Sequence, residues 1–88
     1  MPYILPADRD KLAHATAAIA AVDDADTSAG DLNYLFSTIA KAYVDAKGLR
    51  YEHLNAVVGA FDGAKAEFQR RVVAPYEDAK IAENGDVY

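Results

Sequence analysis

The 88-residue chain has no cysteine, which excludes disulfides and thiolate metal ligands and fits a reducing cytosol. No apolar run approaches the ~18 residues needed to span a bilayer. The opening MPYILPADRD has neither the basic n-region nor the apolar h-region of a secretory signal. The expectation is a cytoplasmic protein with no membrane partner. Large apolar side chains are also scarce. The hydrophobic fraction is 52%, but 19 of those residues are alanine, leaving six Leu, seven Val, four Ile, three Phe and six Tyr to build a core. Alanine favours helix and buries little area. One domain over residues 1–88 with so thin a core draws stability from a partner or from a copy of itself, so a homo-oligomer is expected.

Basic charge is in short supply too: nine Lys and Arg stand against 14 Asp and Glu, for a net charge of −5. Binding to a phosphate backbone depends on clustered Lys and Arg, and nucleic acid is not the expected partner. The acids are spread along the chain and interleaved with the bases, which reads as a solvated surface rather than a decoy for DNA.

The periodicity is helical throughout, with no strand-like alternation and no internal repeat. MPYILP sets three apolar residues between two prolines and reads as an extended arm laid across the helices. Pro6 suits the first turn of a first helix, with Asp8 and Asp10 near its positive end. Leu12, Ala15, Ile19 and Val22 give that helix a narrow apolar stripe. A polar loop, DDADTSAG, follows at 23–30. Leu32, Leu35, Phe36, Ile39 and Tyr43 mark one face of a second helix, with Asp31 as its N-cap and Gly48 as its stop. A third, long helix begins near Arg50, with Leu54, Val57, Val58, Phe61, Ala64, Phe68 and Val72 on one stripe. Gly59 and Gly63 are read as lying close to that stripe. They suggest close approach by another helix, with a locally flexible helix as the alternative. Pro75 removes an amide and disfavours helical geometry at Ala74. The helix either kinks there or, the preferred reading, stops and restarts as a short fourth helix closed by Asn84-Gly85. The fold class is all-α: a small bundle or hairpin of two or three main helices with an extended N-terminal arm and a proline-bent C-terminal helix.

The polar residues support two readings. Arg70 and Glu77 are seven apart, as are Arg71 and Asp78, and Glu67 lies four before Arg71. These spacings describe a structural ion-pair lattice. Alternatively, the paired guanidinium groups present planar forks to a phosphate or carboxylate. Tyr34 or Tyr76 could stack on a ligand ring, whereas Tyr43 and Tyr51 read as half-buried core residues. His14 and His53 fit no ligand spacing, and Glu52 and His53, as helix neighbours, are expected to diverge. No metal site or cofactor is expected. There is no GxSxG, no phosphate loop and no nucleophile–base pair, so an enzyme is not the expected class.

Three segments carry a further signal: MPYI at the start, GDLNY at 30–34, and a tail of the form RRVVAPYEDxKIxENGDV from Arg70 to Val87. Over nearly the whole chain these resemble a family of small uncharacterised proteins encoded by bacteria, prophages and tailed phages. Where members carry Leu-Glu-Cys late in the long helix, this chain has Phe61-Asp62-Gly63. The resemblance implies a phage or prophage setting in a host bacterial cytoplasm and names no activity. It directs attention to a surface built from Asp31, Asn33, Tyr34, Arg70, Arg71, Tyr76, Glu77, Asp78, Lys80 and Asn84. Two functions are carried forward. One is an oligomeric interaction module that binds a host or phage protein through RRVVAPYED. The other is a binder of a nucleotide or other anionic small molecule through Arg70, Arg71 and the tyrosines.

Overall fold

The computed structural model describes residues 4–88, so the Met1–Tyr3 part of the expected arm lies outside the described residues. Every regular element among them is helical. The chain divides into two compact units, Met1–Phe36 and Ser37–Tyr88.

In the first unit, Leu5 is extended (φ −76°, ψ 151°) and mostly exposed. Pro6 then opens α1 (Pro6–Arg9), as its fixed φ and missing amide favour. A 3-10 turn at Asp10–Leu12 leads into α2 (Ala13–Val22). The first helix is therefore interrupted, because Leu12 sits at φ −102°, ψ 4°, outside the helical well. The start of α3 (Ala29–Lys47) corrects the expected N-cap. Ser28 Oγ accepts from the Asp31 amide at 3.0 Å while an Asp31 carboxylate oxygen accepts from the Ser28 amide at 2.9 Å. Ser28 is the cap and Asp31 its partner three residues on, a reciprocal capping box that satisfies two terminal amides.

The second unit contains the remainder of α3, then α4 (Tyr51–Phe68), a π turn at Gln69–Val73 and α5 (Ala74–Asn84). α3 stops at Gly48, whose φ of 107° suits a residue without a Cβ. Gly85 does the same for α5 at φ 90°. Both glycine stops were legible in the sequence. The preferred stop and restart at Pro75 is not what forms. Val73 (φ −69°, ψ −49°) and Ala74 (φ −60°, ψ −47°) are both helical. No irregular residue separates α4 from α5. The chain accommodates Pro75 by widening: the Ala74 amide bonds to the Gln69 carbonyl, five residues back. A proline ring meets the carbonyl four residues before it in an α-helix. Taking one extra residue into the preceding turn moves that carbonyl out of register.

None of the described residues is buried. Leu54, Val58, Phe61, Phe68 and Val72 follow one line along the helix and are each between 38% and 59% exposed. Tyr51, expected half-buried, is 85% exposed. The glycines also need correction. At about 100° per residue, Gly59 and Gly63 lie roughly 160° round the helix from that line. There they join Ala56 and Ala60 in a separate face of small residues. A Cβ built on either glycine meets nothing within 4 Å, so within this unit no close helix approach accounts for them.

Candidate functional site

The sequence-selected residues fall into two groups, one in each unit. In the first, Asp31 and Tyr34 line an open cleft of about 390 Å³ together with Val22, Asp24, Asp26, Thr27 and Leu35. Its acids are largely engaged in local structure. Asp24 accepts from the Asp26 amide at 2.9 Å, and Asp31 serves the capping box. Asn33 is exposed on the first turns of α3. The cleft thus has three carboxylates along an apolar wall, and its character is acidic.

The second group spans the π turn and α5. Arg70 contacts Glu67 at 3.2 Å, with 60% of its own side chain exposed. None of the three expected pairs, Arg70–Glu77, Arg71–Asp78 and Glu67–Arg71, is among the ion pairs. Glu67 turns to Arg70 rather than Arg71, and the wide turn takes the two seven-residue pairs off a shared face. The i, i+7 spacing returns to one face only when each turn takes 3.6 residues, and an extra residue inside the interval rotates Glu77 and Asp78 by about 100°. Arg71 is exposed and makes no ion pair among the described residues. Further along, the Lys80 ammonium lies 5.6 Å from the Tyr76 ring centroid and 3.6 Å from a Glu83 carboxylate oxygen. Both are exposed contacts of modest worth, each up to about 1 kcal/mol. Asn84 ends α5, where the Gly85 amide bonds to the Ile81 carbonyl at 2.8 Å.

A third cluster escaped the sequence reading. His53 Nδ1 donates to the Gly48 carbonyl at 2.8 Å, which fills an acceptor left over at the end of α3. The imidazole is 16% exposed, stands edge-on to Tyr43 with ring centroids 6.4 Å apart, and has Nε2 3.5 Å from a Glu52 oxygen. Glu52 and His53 were expected to diverge. They meet because both occupy the first turn of α4, where the long Glu52 side chain folds back across the turn and also reaches Arg50 Nε at 3.7 Å. The signal was available: a glycine stop followed five residues later by a histidine places the ring above the last carbonyls. The cluster fastens the connection between α3 and α4.

Helices without strands, small size and apolar lines left at the surface define the class: a small all-α protein with no core residue of its own among those described. The chain belongs to the family DUF6899, a domain of unknown function, which matches over residues 1–87. No curated protein and no solved structure matches it. Among the described residues, no helix is long and apolar enough to cross a membrane.

Proposed function

We propose that the protein is a non-catalytic interaction module that assembles from several copies and engages a host or phage protein through its C-terminal helix. The observation carrying this reading is the absence of any buried side chain among the described residues, beside a line of large apolar residues from Leu54 to Val72. Contiguous apolar patches beyond a few hundred Å² are uncommon on monomers and mark contact surfaces. Within RRVVAPYED, Arg71 and Tyr76 are exposed, and Arg and Tyr are favoured anchors at protein contacts. The resemblance of the tail to phage and prophage proteins supports a phage-encoded role in the cytoplasm of a bacterial host.

A pocket for a nucleotide or similar anion is the weaker reading. Of the Arg70, Arg71 and tyrosine set that this reading uses, Arg70 is engaged by Glu67 at 3.2 Å, and Tyr34 lies in a cleft lined by Asp24, Asp26 and Asp31, where fixed carboxylates repel such a ligand. Native mass spectrometry of protein purified gently from a host lysate separates the two readings. An integral-mass oligomer without added mass is the expected result. An extra few hundred daltons per site, lost on unfolding, would transfer the proposal to a metabolite of pocket-filling size.

A further inference from the structure

Pro75 and the wide turn before it fix how α5 is rotated relative to α4. In an uninterrupted α-helix continuing the line of Leu54, Phe61 and Phe68, the central positions after Val72 would fall to Ala79, with Lys80 about 100° to one side. The π turn takes in one extra residue. The register of α5 moves back by that residue: Lys80 comes onto the line, Tyr76 stays at its edge, and Ala79 turns away. Lys80 and Tyr76 are in contact there, ammonium over ring at 5.6 Å. The outcome is one continuous seam, apolar along α4 and finished by a cation–aromatic pair on α5.

We propose that Pro75 is a register-setting residue, and that the seam it aligns is covered by a second copy of this chain. This rests on the oligomeric reading above. Leu54, Val58, Phe68, Val72 and Tyr76 are between 38% and 64% exposed and together offer on the order of 500 Å² of mainly apolar surface. With a polar margin this approaches the ~800 Å² that each partner contributes to an interface of standard size. The identity of the cover follows from when it is needed. With no described side chain buried in the isolated chain, the seam is large apolar surface left to water until something covers it. The one partner present whenever the chain is made is another copy of it.

The test uses three full-length chains compared by sedimentation equilibrium and far-ultraviolet circular dichroism. Wild type is expected to self-associate. Pro75→Ala removes the cause of the wide turn and improves helix propensity. Its helix content should hold or rise while self-association weakens at least tenfold, because α5 is rotated out of line. Combining Pro75→Ala with deletion of Gln69 takes one residue back out of the straightened helix, and this should restore both the register and the association. A Pro75→Ala chain that associates like wild type, or a double variant no better than Pro75→Ala, overturns the register assignment and leaves the oligomeric reading standing. A folded, monomeric wild type overturns the oligomeric reading itself.

Discussion

α2 and the Tyr51–Asn84 helix are both alanine-rich, yet they use that composition differently. α2 reads AHATAAIAAV, and its large apolar side chains are Ile19 and Val22, both exposed. Its helical state rests on propensity, with no side-chain cap at its N-terminus. The longer helix carries its alanines more sparsely, at positions 56, 60, 64, 66, 74, 79 and 82, and adds Leu54, Val58, Phe61, Phe68 and Val72 on one line and small residues on the other. Propensity makes both segments helical, but only the second has bulky surface that gains from being covered. Helices shorter than about 12–15 residues are marginal without tertiary packing, so α2 should be the first element lost when the protein is perturbed and the α4 line the most sensitive to substitution.

The sharpest way to break this contrast is Phe68→Asp. It replaces an apolar contact worth about 1.5–3 kcal/mol when buried with a charge that resists burial. Self-association should fall by more than tenfold in sedimentation equilibrium. Ile19→Asp in α2 should leave the association constant within about threefold. Equal effects would remove the distinction between the two helices.

Intermediate effects belong to the helix ends. Gly48→Ala forces a Cβ into a φ of 107° and should cost about 1–2 kcal/mol, read as a lower thermal midpoint. His53→Ala leaves the Gly48 carbonyl without its ring donor. It should cost about 1 kcal/mol for the hydrogen bond, together with the packing lost against Tyr43. Ser28→Ala opens the capping box at the start of α3 and should cost about 1 kcal/mol, visible as faster amide exchange at Ala29–Asp31. The smallest effect is expected from Arg70→Ala. Its contact with Glu67 is largely exposed, and a loss of a few tenths of a kcal/mol or less should leave the melting curve unchanged. A large destabilisation there would show that the arginine supports the wide turn.

The Leu32–Tyr43 and Leu54–Val72 periodicities, Gly48 and Asn84-Gly85 located the main helices and their ends in the sequence, because those signals act through neighbours within one turn. The candidate site was less legible. Arg70, Glu77, Arg71 and Asp78 were paired by counting residues along an ideal helix, and that count is invalid across a π turn. Asp31 was assigned the cap that Ser28 holds, since either residue can supply the oxygen and only the backbone conformation chooses between them. Glu52 and His53 were separated by their adjacency, although the length of the glutamate side chain lets it turn back to the ring.

Composition and periodicity by themselves determined that this chain is helical, where its long helices stop, and that its large apolar residues are few. Those properties depend on local propensity, glycine at positive φ and the 3.6-residue repeat. Only the three-dimensional structure decided that Pro75 is absorbed by a wider turn instead of ending the helix. It likewise decided that nothing lies within 4 Å of a Cβ built on Gly59 or Gly63, and that no described side chain becomes buried. Each of these depends on the accumulated rotation of a continuous backbone and on what comes within van der Waals reach, quantities that residue identity alone does not specify.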